Sequence, residues 1–230
     1  FSINKNLSIL NHTVLNRNTC SLRIFASLSL HYDFVCAVVD GGQVWCWGSN
    51  ASGQLGDGTT TDRSEPVLVS GGHTWESVIL GSNHTCGVTT SDAAYCWGRN
   101  YEGGLGDGST TDRGADQGAA LVSGGLTWDT ASVSAGNLHT CALTTAGAAY
   151  CWGRNDSNGG RVGDGTNTNR SVPTLVSGGH TWASVRGAQN HSCGVTTAGE
   201  AYCWGSNGNG ELGDGTTTNR TTPTKVTSPW

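Results

Sequence analysis

The sequence predicts an all-β protein, an array of four four-stranded repeats with a disulfide-stapled hairpin in each. Three observations carry this. A motif running from His139 to Gly153, His-Thr-Cys-Ala-Leu-Thr-Thr-Ala-Gly-Ala-Ala-Tyr-Cys-Trp-Gly, recurs at 84–98 and 191–205 and, more weakly, at 34–48. Every copy places two cysteines ten positions apart: Cys36/Cys46, Cys86/Cys96, Cys141/Cys151 and Cys193/Cys203. The copies recur about every 50 residues with room for four short strands, a period that fits a β-propeller blade or another radial or stacked β array.

The hairpin is the best-specified element. Folding the third copy about Ala146 sets Cys141 opposite Cys151 and leaves Thr145-Ala-Gly147 as a three-residue loop. Such loops end on a left-handed residue, which Gly147, Gly42 and Gly199 supply; Asp92 holds that place in the second copy and tolerates it better than most. The same register sets Ala142 against Tyr150, Gly87 against Tyr95, Gly194 against Tyr202 and Ala37 against Trp45, small opposite large each time. A first strand is expected near Trp75, Trp128 and Trp182, with Phe25-Ala-Ser-Leu28 in that place in the first repeat. After the hairpin come Trp-Gly, a Gly/Asn loop, Leu-Gly-Asp-Gly with a Thr-rich tail, and a last strand near Pro66–Val69. Added residues near Asp129–Ala131 and in Asp156–Gly160, and the altered stretch Gly114–Ala120, are expected on loops. The chain thus divides into a non-repeat N-terminal segment, 1–22, a degenerate first repeat, 23–72, and repeats over 73–125, 126–179 and 180–230.

Composition narrows the function classes. Apolar residues make up 35% of the chain and glycine 36 of 230 positions, so each core is modest. A net charge of −5 with lysines only at 5 and 225 supplies no basic patch for nucleic acid, and no apolar run is long enough to insert in a membrane. Eight equally paired cysteines argue for an oxidising, extracellular or cell-surface location. Zinc usually takes ligands two to four residues apart within a pair, so this spacing speaks for disulfides. Phe1 at the start and the absence of Met read as a processed or partial product.

The stretches Trp-Gly-Ser-Asn-x-x-Gly-Gln-Leu-Gly-Asp-Gly-Thr (47–59), His-Thr-Cys-Ala-Leu-Thr (139–144) and Pro-Thr-Leu-Val (173–176) resemble repeats of the regulator of chromosome condensation family, most closely its secreted, cysteine-stapled members. The resemblance covers about residues 23–228 and implies four-stranded blades, usually seven to a closed ring. Four repeats would not complete such a ring alone. The family includes a nuclear exchange factor for a small GTPase, a plant ultraviolet photoreceptor, receptor ectodomains and a bacterial inhibitor of β-lactamase, so it implies fold better than function.

Few residues suggest chemistry. His84, His139 and His191 recur two positions before the first cysteine, where a repeated structural hydrogen bond is weighed against a shared metal; Phe34 takes that place in the first repeat. Asp57, Asp107, Asp164 and Asp214 in Gly-Asp-Gly read as turn residues rather than calcium ligands, because Asp62 and Asp112 become Asn169 and Asn219 in the later copies. No nucleophile–base set, phosphate loop or cofactor motif stands out, so no enzyme and no cofactor are expected. Trp47, Trp97, Trp152 and Trp204 read as inter-blade core, with sugar or partner stacking as the alternative. Sequons at Asn50, Asn155, Asn169 and Asn219 fall in expected loops and predict glycans there.

The function expected is an extracellular, non-enzymatic structural or adhesive subunit that self-associates head to tail, with Phe25 and Trp230 at the interface and Cys20 bridging two chains. The rival expectation is a recognition module that binds a protein or a glycan through a propeller face.

Overall fold

Among the described residues sixteen strands form four separate antiparallel sheets, each a meander of four strands consecutive in sequence. The computed structural model describes residues 25–114, 118–156 and 159–227. Cys20 and Trp230 lie outside the described residues, as does the segment 1–22.

The first blade comprises β1 (Phe25–Leu30), β2 (Phe34–Val39), β3 (Gln43–Gly48) and β4 (Arg63–Leu68). The second is β5 (Trp75–Leu80), β6 (His84–Thr89), β7 (Ala94–Gly98) and β8 (Ala120–Leu121). The third is β9 (Ser134–Ala135), β10 (His139–Leu143), β11 (Ala149–Gly153) and β12 (Arg170–Leu175). The fourth is β13 (Trp182–Gly187), β14 (His191–Thr196), β15 (Ala201–Gly205) and β16 (Arg220–Lys225).

The hairpin register is the expected one. Cys36 pairs with Cys46, Cys86 with Cys96, Cys141 with Cys151 and Cys193 with Cys203, each pair joined by a disulfide with Cα atoms 4.1 Å apart. Each staple closes a ten-residue separation and in the chain-entropy model contributes roughly 2–3 kcal/mol. Gly147 sits at φ 79°, and Asp92, at φ 59°, is the one described non-glycine residue in the left-handed region. The room opposite Tyr95 and Tyr202 has a second purpose, invisible from the hairpin alone. A Cβ on Gly87 would come within 2.8 Å of the Trp75 ring, and one on Gly194 would meet Trp182 equally closely, so the small residue also seats the indole of the preceding strand.

Two expected loop insertions alter strands instead. In the third blade the extra residues at Asp129–Ala131 remove Trp128 from any strand, leaving an isolated bridge to Thr144, and the first strand shrinks to Ser134–Ala135. The Ser132 hydroxyl repairs the gap: the Leu143 N–H donates to it at 2.9 Å, and it donates to the Asp129 carbonyl at 2.8 Å. In the second blade the stretch from Gly114 leaves an outer strand of only two residues, yet Tyr95↔Leu121 and Gly98↔Arg113 preserve its register. Pro66, Pro173 and Pro223 stand on the outer strands of the other blades, where a missing N–H costs no ladder bond and blunts the edge.

The core lies between blades. Phe34, Cys36, Val38, Val44, Leu55 and Val69 of the first blade close on Trp75, Val78, Leu80 and Trp97 of the second. The same set recurs between second and third, around Trp128 and Trp152, and between third and fourth, around Trp182 and Trp204. Each of the last three blades therefore covers its predecessor with a Trp-bearing face. The described residues make three such joints and do not close a ring.

Candidate functional site: the inter-blade joint and its two open halves

Every interior joint is organised on one backbone carbonyl, supplied by the loop after the hairpin of the earlier blade. The Gln54 carbonyl accepts the Trp97 indole N–H at 3.0 Å and the Thr85 hydroxyl at 2.7 Å. The Gly104 carbonyl accepts Trp152 (2.9 Å) and Thr140 (2.8 Å), and the Arg161 carbonyl accepts Trp204 (3.0 Å) and Ser192 (2.9 Å). The two donors are always direct cross-strand partners: Thr85↔Trp97, Thr140↔Trp152 and Ser192↔Trp204. Glycine follows two positions after the carbonyl because the indole lies flat there. A Cβ on Gly56, Gly106 or Gly163 would meet a Trp Nε1 at 2.6 Å.

The histidines complete this relay. His84 Nε2 lies 3.0 Å from Thr140 Oγ1, and His139 Nε2 lies 2.9 Å from Ser192 Oγ. Each hydroxyl hydrogen is already given to a carbonyl, so the hydroxyl oxygen accepts and the imidazole donates from Nε2. Burial pushes His84 down to about 4, with His31 contributing, and His139 down to about 3, helped by Arg161 and the neighbouring histidines. Both rings are neutral at pH 7. His84 and His139 make the structural hydrogen bond, whereas His191 on the last blade meets no hydroxyl among the described residues.

The Gly-Asp-Gly carboxylates are also committed. Asp57 accepts from Thr59 and Asn50 and pairs with Arg63 at 2.7 Å. Burial would raise its carboxyl, but the hydrogen bonds from Thr59 and Arg63 outweigh that and hold it below its ordinary value. Asp107–Arg113, Asp164–Arg170 and Asp214–Arg220 repeat the pair. These are turn clamps.

Two glycosylation expectations need correction. Asn50 and Asn155 are fully buried. The Asn50 amide donates to Asp57 (3.1 Å) and to the carbonyls of Thr59 (3.0 Å) and Thr61 (3.1 Å), while its Oδ1 accepts from the Leu55 N–H at 2.9 Å. Asn155 makes the corresponding set, so a glycan on either would destroy the loop that presents the joint carbonyl. Asn169 and Asn219 are exposed, each using only Oδ1 to accept a backbone N–H, from Asn155 and Asn207.

The end blades carry the two halves of this joint without a described partner. On the first blade Phe25, Leu28, Leu30 and Trp47 stand in the registers of Trp75, Val78, Leu80 and Trp97. Leu28 is 52% and Leu30 68% exposed, where Val78 and Leu80 are buried, and Trp47 is half-buried. On the fourth blade His191, Val195, Leu212 and Val226 correspond to Phe34, Val38, Leu55 and Val69. Val195 is 39% exposed and His191 half-buried. Among the described residues no donor reaches the Glu211 carbonyl, and a Cβ on Gly213 would meet only Val226. The repeated motif signalled the Trp and His positions. The joint carbonyl was missed, because its side chain changes from Gln54 to Gly104 to Arg161 to Glu211 and only the backbone is used.

A second feature lies where the turns between first and second strands converge. A cavity of about 300 Å³ is lined by His31, Tyr32, Ser82, Gly136, Asn137 and Gln189 among others, and by no charged side chain. Tyr32 is 94% exposed.

Comparisons with known proteins agree on the fold. The regulator of chromosome condensation (RCC1) repeat model matches residues 41–88, 146–195 and 198–229, more than half of the chain, and a second model of that repeat matches 77–103 and 131–159. The human E3 ubiquitin-protein ligase HERC2 is 30% identical over 76% of the chain, which spans 4% of that protein. The ultraviolet-B receptor UVR8 of Arabidopsis thaliana is 32% identical over 74% of the chain, which spans 38% of it. Yeast RCC1 (Prp20), solved bound to Kap60, superposes with a TM-score of 0.78 at 22% identity, over 92% of this chain and 50% of that one. The entire ectodomain of the receptor kinase CR4 from Physcomitrella patens gives 0.52 at 25% identity, over 80% and 42%.

Proposed function

From the premise that the chain belongs to the regulator of chromosome condensation repeat family, we propose that it is an extracellular, non-enzymatic structural module that joins an assembly through the open faces of its first and last blades. The observation that carries this reading is the exposed apolar face of the first blade. Leu28 and Trp47 occupy positions that every interior joint buries, Leu30 stands where the second blade buries Leu80, and an exposed apolar patch of this kind is a contact surface far more often than bare surface. Four hairpin disulfides support an oxidising location. The likeness to a receptor-kinase ectodomain points the same way. In the head-to-tail form, the first-blade face of one copy, with Phe25 in it, meets the last-blade face of the next, and the rotation between copies decides ring or filament.

A recognition role is the second reading, favoured by the uncharged cavity beside the exposed Tyr32, a suitable floor for a sugar or a peptide. Sedimentation equilibrium separates the two. Assembly predicts mass rising with concentration and lost in a Leu28→Glu variant; a monomer at every concentration would remove the assembly reading.

A further inference from the structure

The interior joints also specify which blade an open face will take. Each combines three elements: a carbonyl, an indole and a hydroxyl that are cross-strand partners, and, in two joints, a histidine donating to that hydroxyl. The last blade presents its half complete. Glu211 holds the carbonyl position, Gly213 the flat shelf, and His191 pairs with Gly205 in the register in which His84 pairs with Gly98 and His139 with Gly153. The first blade presents the other half incomplete. Trp47 is kept, but its cross-strand partner is Val35, where the other blades carry Thr85, Thr140 and Ser192.

This mismatch is one-sided. At the first joint Phe34 faces the Thr85 position, and nothing is left unmade, because the hydroxyl donates to the Gln54 carbonyl and a phenyl ring needs no acceptor. A second copy docked by its first blade onto the last blade would create the reverse case. Trp47 could reach the Glu211 carbonyl, but the His191 Nε2–H would be buried against the methyl groups of Val35. Protonation would not relieve it, since a charged ring buried there is more costly still.

We infer that the open face of the last blade is a socket for a blade of the same repeat type carrying Ser or Thr immediately before its first hairpin cysteine and Trp immediately after its second. Val35 makes this chain a weaker occupant of its own socket than such a blade would be, so the head-to-tail contact of two copies is the looser form of a contact that a hydroxyl-bearing blade makes tightly. The inference rests on the proposal that the end faces are contact surfaces.

The test uses the full oxidised chain. A dilute, labelled wild-type sample is titrated with unlabelled wild type or with Val35→Thr, a nearly isosteric change, in sedimentation velocity. Val35→Thr is expected to bind about tenfold tighter, about 1.4 kcal/mol, and the gain is expected to vanish when the labelled chain carries His191→Phe, which copies the natural Phe34. No gain from Val35→Thr, or a gain that survives His191→Phe, overturns the inference. Leu28→Glu in the titrating chain separates the two levels. If it abolishes binding while Val35→Thr gains nothing, only the selectivity fails. If it leaves binding unchanged, or no sample binds at all, the end-face reading fails with it.

Discussion

Trp97 and Trp47 follow the second cysteine of their hairpins in the same register, yet one is completely buried and the other half exposed. Around Trp97 the preceding blade supplies a carbonyl, a glycine shelf at Gly56 and the aliphatic groups of Leu55 and Val69. Around Trp47 the described residues supply none of these. The difference teaches that a blade of this kind is only half a structural unit: its hairpin is locally sufficient, but its Trp face is stable only when the next blade's loop covers it. Gly163 and Gly213 make the same comparison from the other side, the first pressed against Trp204 and the second open.

The largest contrast should come from removing the rings. Trp152→Ala empties an enclosed site and leaves the Gly104 carbonyl with one donor; a loss of about 3–5 kcal/mol is expected in chemical denaturation. Trp47→Ala should cost the monomer only about 1–2 kcal/mol, since half the ring already faces water. Equal losses would mean that the first blade's face is covered as well as the others.

Acid should act next, most strongly through the two fully buried histidines. His84 and His139 have folded pKa values near 4 and 3, below the ordinary 6.5, so the unfolded chain binds protons that the folded chain refuses. Stability from these residues is therefore complete above about pH 6.5 and is lost as pH falls toward 4, by on the order of 3 kcal/mol for His84 alone. His84→Phe, copying Phe34, should remove about half of the fall in melting temperature between pH 6.5 and 4.5, His139 keeping the rest. A wild-type curve already flat over that range would contradict the buried neutral ring.

Smaller effects sharpen the geometry. Ala142→Leu should overpack the third blade, beside Trp128 and Tyr150, by about 1–3 kcal/mol. Gly163→Ala carries both the left-handed strain, about 1 kcal/mol, and a clash with the Trp204 ring, whereas Gly213→Ala carries the same strain and only a 3.1 Å approach to a Val226 methyl group. A smaller loss for Gly163→Ala than for Gly213→Ala, read from denaturant midpoints, would show that the indole does not lie on this shelf.

Much of this fold was legible in the sequence because the hairpin is a local object. Ten residues between cysteines, a three-residue turn and one small residue opposite a ring fix a register without long-range information, and they marked even Asp92 as the left-handed exception. The candidate site was legible only in part. Its indoles and histidines repeat as letters, but its acceptor is a backbone carbonyl under four different side chains, and Val35 carries meaning only once Thr85, Thr140 and Ser192 are seen to donate to that carbonyl. Asn50 and Asn155 misled for a related reason. A sequon reads three residues, while burial of its asparagine is decided by Asp57, Thr59 and Leu55 further along the loop. The insertion at Asp129–Ala131 looked like loop because its length was cheap; that it would unpair Trp128 depends on where Ser132 could substitute in the ladder.

The central claim, that the end faces of the array are contact surfaces built as halves of one joint, is tested most directly by oxidative footprinting of the full chain across a concentration series. Trp47 and Val195 are predicted to lose reactivity together as concentration rises, while Tyr101, exposed on the loop after the second blade's hairpin, stays constant. Reactivity at Trp47 and Val195 that is unchanged while the sedimenting mass increases would place the contact elsewhere and contradict the account.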